Sequence, residues 1–284
     1  MIPKISVITV VFNDKSGFEL TANSIISQTA IKDIEWIVID AASTDGTVES
    51  IKKFVSNISY WISETDNGIY DGMNKGIEKA TGLYSLFLNA GDTLYCRTTI
   101  ETLLTHKDFG HYDYLSGHTI YTKDGKAIGK SMAPKTISGA YLFKRSLGHQ
   151  STLIRTDRLK EVKGYDTNYK IVADAKFFFE EIIIKNKSYQ SINEYISNYD
   201  VTGISTRKHK ENHEERERFL AETLPPKILS DYKRFVYGDT TLEKIICKLD
   251  RGDFLYKLIT IFVIISYSPI ALYNRVRIHI IKKH

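Results

Sequence analysis

Ile34-Glu-Trp-Ile-Val-Ile-Asp40-Ala-Ala-Ser-Thr-Asp-Gly-Thr47 is an apolar, largely β-branched run that ends on a carboxylate and passes into turn-forming polar residues. A run of this kind, short and without polar alternation, suits a strand buried on both faces, as in a parallel sheet. Thr47 then predicts a capped helix with Val48, Ile51, Phe54 and Val55 on its apolar face. Upstream, Ile5-Ser-Val-Ile-Thr-Val-Val11 predicts another buried strand, and Phe18, Ala22, Ile25 and Ile26 follow at helical spacing. Downstream come a short strand over 58–62, a helix opening at Ile69 with Met73 and Ile77 on one side, and a strand over 83–88. Strand alternating with helix at this pitch predicts parallel βαβ units, an α/β fold with a mainly parallel, doubly wound sheet. Ligands in such sheets bind at the carboxyl ends of the strands.

Past Asp92 the pattern is mixed. Asp124-Gly125 predicts the turn of a hairpin, residues 159–164 a helix ending on glycine, and 171–185 a further helix. The charge run over 207–218 reads as a solvated helix face with i,i+4 pairs, and His209 within it as a surface residue. Pro225-Pro226 marks the expected boundary between a body, 1–224, and a helical extension, 225–284.

A chain of 284 residues with 42% hydrophobic and 26% charged content is an ordinary globular composition, sufficient for one large domain or two modest ones. Cys96 and Cys247 are too few for a disulfide framework or a cysteine zinc site, which predicts a reducing compartment. The opening residues, Met1-Ile-Pro-Lys-Ile-Ser6, show no signal-peptide pattern. The net charge of +5 is local: from Arg251 onward there are Arg251, Lys257, Arg275, Arg277, Lys282 and Lys283 against Asp253 alone, so the body is neutral. A neutral body without interleaved Arg and aromatic motifs argues against nucleic acid. Residues 258–274 carry no charge but are interrupted by Pro269, and they are flanked by the basic residues and by Tyr256, Tyr267 and Tyr273. That stretch is short for a membrane span of about 20 residues. It suits a helix lying in the headgroup region of a membrane, with packing on the protein itself or on a second copy as the alternative.

Four polar clusters follow the four strands: Val11-Phe-Asn13-Asp14, Asp40 to Thr47, Ser63-Glu-Thr-Asp66-Asn-Gly-Ile-Tyr-Asp71-Gly-Met-Asn74-Lys-Gly76, and Asn89-Ala-Gly-Asp92. Each alone suits turn chemistry, but together they converge on one sheet edge. Asp40, at the end of a buried strand, can accept a ring N–H such as a uracil imide. Asp92 and Asn89 offer hard oxygen ligands, and a departing diphosphate needs the charge neutralisation that Mg²⁺ or Mn²⁺ supplies. Asp71, Asn74 and Glu78 share one helix face opposite Met73 and Ile77, so Asp71 and Asn74 can face a ligand. A phosphate-binding Gly-x-x-x-x-Gly-Lys loop and a Gly-x-Gly-x-x-Gly turn are both absent from the sequence, which argues against P-loop enzymes and dinucleotide dehydrogenases. Phe12-Asn-Asp-Lys15 also replaces the Gly- and Arg-rich loop of nucleotidyltransferases.

With these four motifs in order, residues 4–205 resemble family-2 glycosyltransferases, most nearly the bacterial enzymes of O-antigen, capsule and colanic-acid assembly. The resemblance implies a GT-A fold, a nucleotide-sugar donor (a UDP-sugar before a GDP-sugar), a divalent cation and inversion at the anomeric carbon. It places Thr9, Val11 and Asn13 around the nucleoside, Asp40 on the base, and Asp66 and Asn74 along the nucleotide-sugar site. Asn89 and Asp92 stand where the family has its metal-binding Asp-x-Asp, with an amide replacing the first carboxylate. After Gly164-Tyr-Asp166, Asp174 falls where the family's general base lies, and Ala173 replaces the acid that precedes it. Asp174 also reads as a helix-start carboxylate favoured by the dipole. His149 and Gln150 border the sugar and acceptor pocket in the resembling enzymes, although polar residues opening a strand also serve the backbone. Gly203-Ile-Ser205 resembles a subgroup feature near the donor.

The expected activity is transfer of a hexosyl or N-acetylhexosaminyl group to a lipid-linked saccharide in bacterial surface-polysaccharide synthesis, with the protein peripheral on the cytoplasmic face of the inner membrane. The alternative is a catalytically silent nucleotide-sugar-binding scaffold of a membrane assembly complex, to which the Asn89 and Ala173 departures point.

Overall fold

The computed structural model describes residues 4–202 and 209–237. Its centre is a mixed sheet in the order β3-β2-β1-β4-β8-β6-β9-β5, with β7 paired to β6. Strands β1 (Ile5–Val11), β2 (Ile34–Asp40), β3 (Tyr60–Ser63) and β4 (Tyr84–Phe87) are parallel, and β1 and β2 have the bounds the sequence predicts. The sheet then turns mixed: β8 (Thr152–Arg155) runs antiparallel to β4 and to β6 (Tyr114–Lys123), while β9 (Tyr189–Asp200) runs parallel to β6. The two-residue β5 (Thr93–Leu94) closes that edge against β9, and β7 (Lys126–Ser131) forms the hairpin expected at Asp124-Gly125.

Both faces of the parallel half are covered. On one, α1 (Lys15–Ile26) buries Phe18, Ala22 and Ile25 against Val7, Val11, Trp36 and Val38, and Phe18 stacks on Trp36 at 6.0 Å. On the other, α3 (Ile69–Lys79) lies directly on β1. A Cβ on Gly76 would come within 2.4 Å of Ile8 and one on Gly72 within 2.8 Å of Val10, so glycine at this i,i+4 pair sets the helix–sheet distance. The helix α2 (Thr47–Lys53) begins at Thr47, with Gly46 rather than Thr47 in the cap position. Asp45 supplies the cap: its Oδ1 accepts from the Thr47 amide at 3.0 Å and hydroxyl at 2.6 Å. The bond from the Thr47 hydroxyl, against burial and with backbone donors helping, holds the Asp45 carboxyl below the usual range.

The remaining helices are short: α4 (Thr99–Thr105), α5 (Gly139–Lys144), α6 (Thr156–Glu161) and α7 (Ala173–Phe178). The helix expected over 171–185 is α7 followed by a π-helical stretch, Phe179–Ile184. The charge run forms the helix His209–Thr223, but it is not a solvated rod: Phe219 and Leu220 are buried and Glu215, Arg216 and Arg218 bind backbone of the body. The chain divides into two compact units between Thr223 and Leu224, and in the second the helix Pro226–Tyr237 is described. The uncharged stretch 258–274, Cys247 and Gly203-Ile-Ser205 lie outside the described residues. Among the described residues no helix is long and apolar enough to cross a membrane.

Candidate active site

At the carboxyl ends of β1 and β2, two loops are stapled together. The Asn13 amide N–H donates to Ser43 Oγ at 2.8 Å, Asn13 Oδ1 accepts the Thr44 N–H at 2.8 Å, and Asp45 Oδ2 accepts the Lys15 N–H at 2.9 Å. Asn13 holds this shape at φ 48°, a left-handed conformation that asparagine tolerates better than most residues. Asp40 is fully buried, and its Oδ2 accepts from the Ser43 N–H at 3.0 Å and the Ser63 hydroxyl at 2.6 Å. Its Oδ1 is buried with no partner. A buried carboxylate oxygen without a donor is costly, and this one lies where the fold places ligands. One residue past Val11, the Phe12 ring is 63% exposed, an aromatic face beside that oxygen's strand end.

The other residues expected on the nucleoside behave differently. Thr9 and Val11 project into the α1 side of the core: Thr9 Oγ1 accepts the Trp36 indole N–H at 3.1 Å, and Val11 is buried among Phe18 and Leu94. Their side chains are therefore framework. Asn74 is framework too. Its Oδ1 accepts the Tyr165 N–H at 2.7 Å and its Nδ2 donates to the Tyr165 carbonyl at 2.8 Å, so both ends of the amide are spent on one backbone turn. Gly164 approaches at φ 80°, and a Cβ there would stand 2.2 Å from Asn74 Oδ1. Asp66 and Asp71 shape the turn before α3, accepting from the Gly68 N–H and the Asn67 N–H, each at 2.9 Å.

The second half of the site gathers four elements. Asn89 and Asp92 turn tightly after β4, with the Asp92 N–H donating to the Asn89 carbonyl at 3.0 Å, and the Thr21 hydroxyl of α1 pins that turn by donating to Asp92 O at 2.7 Å. His149 enters ahead of β8 and Asp174 from the first turn of α7. His149 Nδ1 lies 3.0 Å from Asp174 Oδ2, while Nε2 faces Asn89 Nδ2 at 3.4 Å. In the neutral ring the Asp174 carboxylate fixes the Nδ1–H tautomer, and Nε2 then accepts from the Asn89 amide; Asn89 Oδ1 is buried and unpartnered. Asp174 Oδ1 accepts from the Ala175 N–H at 2.8 Å and lies 2.9 Å from the Tyr70 hydroxyl, which also reaches the Ile171 carbonyl at 2.8 Å. Gln150, beside His149, is buried.

Electrostatics follow from these partners. Burial works to raise Asp174, but the His149 hydrogen bond and charge, then the Tyr70 hydroxyl and the Ala175 N–H, hold its carboxyl below the usual range. Burial works to lower His149, and the Asp174 bond and charge, with Asp92, hold it above the usual range instead. Asp92 is pushed up to about 7 by burial, against the pull of the Asp200 N–H, which donates to Asp92 Oδ1 at 3.0 Å, and of the His149 charge. Phe12, Ser43, Ser63, Tyr70 and Asp200 all contribute here and were not singled out by sequence; Asp200 ends β9 as Asp40 ends β2, which is the one signal that was available.

A sheet that is parallel over β1 to β4 and mixed beyond, with polar residues gathered at its strand ends, defines the GT-A class of transferase fold. Residues 6–161, more than half the chain, match the model of glycosyl transferase family 2, and the protein belongs to that family. It is a glycosyltransferase. An uncharacterised glycosyltransferase of Mycobacterium tuberculosis is 28% identical over 207 residues, covering 72% of this chain and 78% of the relative. Among solved structures, TarS of S. aureus in complex with UDP-GlcNAc aligns with a TM-score of 0.64 at 18% identity, covering 86% of this chain and 76% of that one. The mannosyltransferase PcManGT of Pyrobaculum calidifontis, in complex with GDP-Man and Mn²⁺, aligns with a TM-score of 0.62 at 14% identity, covering 98% and 83%. Both share the fold.

Proposed function

We propose that the protein transfers a sugar from a UDP-sugar to a hydroxyl of a lipid-linked saccharide, with inversion, during assembly of a bacterial surface polysaccharide. The observation that carries the reading is the His149–Asp174 pair lying against Asn89 at the carboxyl end of β4. A silent binding module has no need for a carboxylate held ionised by three donors, one of them an imidazole, and the pair therefore favours the enzyme over the scaffold.

The nucleobase stacks on Phe12 and donates an imide N–H to Asp40 Oδ1, which satisfies the one oxygen of that carboxylate left bare. The fit of a divalent cation rests on two groups: Asn89 Oδ1 is buried without a partner, and Asp92 is a buried carboxyl that burial raises and a cation beside it would ionise. Asn89 and Asp92 would hold Mg²⁺ or Mn²⁺ together with the donor's own phosphates, and the cation would supply charge neutralisation to the diphosphate. Among the described residues no group of three His, Cys, Asp or Glu side chains could hold a metal, so the phosphates are essential to that set.

Inversion needs a single in-line displacement, with the acceptor hydroxyl losing its proton as its oxygen attacks the anomeric carbon. The His149–Asp174 pair takes that proton. Asp174 remains ionised and orients the imidazole through Nδ1–H, and Tyr70 and the Ala175 N–H prevent the carboxylate from rotating away. The basic, uncharged-cored extension gives the protein a peripheral seat on the cytoplasmic face of the inner membrane, where a lipid-linked acceptor is presented.

The test is a panel of nucleotide sugars scored for thermal stabilisation with Mn²⁺, followed by product analysis with the best binder. A donor at a hundred times its Kd adds about 2.7 kcal/mol of stability. Stabilisation by UDP-sugars and release of UDP are expected; a panel in which no nucleotide sugar stabilises or is consumed would overturn the reading.

A further inference from the structure

Two consecutive residues of the helix His209–Thr223 hold the two chain segments that deliver His149 and Asp174. Glu215 holds the Asp174 side. Its Oε1 accepts from the Lys170 N–H at 2.8 Å, and its Oε2 accepts from the Ile171 N–H at 2.9 Å and the Val172 N–H at 3.2 Å. These amides lead into α7, whose cap residue Val172 provides no side-chain bond of its own. The cap is therefore supplied from another helix. The Ile171 N–H is held by Glu215, and its carbonyl lies 2.8 Å from the Tyr70 hydroxyl, whose one proton it shares with Asp174. Asp174 follows three residues after Ile171, on the segment that these bonds hold.

Arg216 holds the His149 side. Its guanidinium donates to the carbonyls of Leu142, Phe143 and Arg145 at 3.1, 3.4 and 3.2 Å, closing the carboxyl end of α5 just ahead of His149. Two further residues of the same helix tighten the grip. Arg218 donates to the Asn168 carbonyl at 2.9 Å and lies over the Tyr169 ring at 4.2 Å, and the Tyr169 hydroxyl bonds Glu222. Lys170 carries the connection on to the donor side, its Nζ donating to the Asn67 carbonyl at 2.9 Å. Helix ends need outside partners for their unpaired amides and carbonyls, and bonds to a full charge are the strong version of such partners.

We propose that Glu215 and Arg216 are positioning residues for glycosyl transfer, fixing where His149 meets Asp174 without touching substrate. The proposal rests on the role given above to that pair, yet its geometry can be tested without a donor. The first measurement uses the full-length chain labelled with ¹⁵N-histidine. The Nδ1–H that His149 shares with Asp174 gives a downfield, slowly exchanging imidazole proton, assigned by its absence from His149→Gln. Glu215→Ala and Arg216→Ala are expected to broaden or remove that resonance, whereas Glu214→Ala, on the exposed side of the helix, leaves it unchanged. A resonance unmoved in both Glu215→Ala and Arg216→Ala overturns the proposal. Should the alanine variants not fold, Glu215→Gln and Arg216→Lys decide in the same way, since each keeps the stem and removes bonds to its segment.

The second measurement is turnover of the UDP-sugar that the donor panel selects. A misplacement of about 1 Å costs about a hundredfold in rate, so kcat should fall by about 10- to 100-fold while the donor KM moves less than about twofold. Glu215→Gln should fall between the alanine variant and the wild type. A rise in donor KM at unchanged kcat would contradict the assignment. If the wild-type chain turns over no nucleotide sugar, the functional reading fails, and the imidazole resonance still decides this one.

Discussion

Replacing Asn74 by alanine separates a framework residue from a ligand residue. Asn74 stands on the helix face that the sequence assigns to the donor, yet both of its amide ends are bonded to the backbone of Tyr165, at 2.7 and 2.8 Å. Alanine leaves the Tyr165 N–H and carbonyl without partners. Each such loss costs about 1–3 kcal/mol where the groups stay buried. Here the turn adjoins a cavity of about 390 Å³ lined by Asn74, Gly164, Tyr165 and Lys176, so water can replace part of what is lost. The expected destabilisation is therefore roughly 2–4 kcal/mol. For a body of this size that lowers Tm by about 5–15 °C, at about 2–4 °C per kcal/mol. Calorimetric unfolding reads the stability, and titration of UDP with Mn²⁺ reads the nucleotide site. UDP affinity at a temperature where the variant is folded should stay within about twofold of wild type. An unchanged Tm with UDP affinity down tenfold would put Asn74 back in the ligand site and refute the framework assignment.

Asp40→Asn keeps an acceptor for Ser43 and Ser63 but turns an N–H toward the position proposed for the base N–H, so UDP affinity should fall by about 10- to 100-fold, the worth of one charged hydrogen bond; unchanged affinity in a titration would remove Asp40 from the site. The Asp92 carboxyl is raised from 3.8 to about 7, so the stability it contributes is present below about pH 4 and is lost as pH rises through about 7, roughly 4 kcal/mol in all. Without divalent cation, Asp92→Asn should erase that slope in urea unfolding and be more stable than wild type at pH 8; equal stability there would sink the burial argument. A chain ending at Thr223 should remain folded and bind UDP while losing attachment to anionic vesicles in a flotation assay, and retained attachment would move the anchor into the body.

Local pattern carried the reading as far as local physics reaches. The bounds of β1 and β2 were legible because β-branched runs buried on both faces end abruptly at polar turns, Val11-Phe12-Asn13 and Asp40-Ala41-Ala42. β9 was not: Tyr189–Asp200 has no clean alternation, and its pairing with β6 carries register shifts near His118 that only tertiary contact selects. The same boundary divides the site residues. Asp174, Asp92, Asn89 and Asp40 were found at strand and helix ends, where chemistry and position coincide. Asn74 was expected on a ligand-facing side of its helix, but the group facing it is a turn 91 residues away, which no periodicity reports. The charge run 207–218 is solvated in composition, yet Glu215 reaches amides 43–45 residues upstream, and such long-range capping leaves no trace in the local sequence.

The central claim is tested most directly by turnover and donor binding measured side by side on the wild type and Asp174→Asn, with the UDP-sugar that stabilises the protein best. The amide preserves the shape of the residue and removes the negative charge that holds His149. The expected result is a donor Kd within about twofold of wild type and a turnover lower by about 10²–10⁴, the usual worth of a general base. Turnover at the wild-type rate, or loss of donor binding in step with loss of turnover, would contradict the role given to the His149–Asp174 pair.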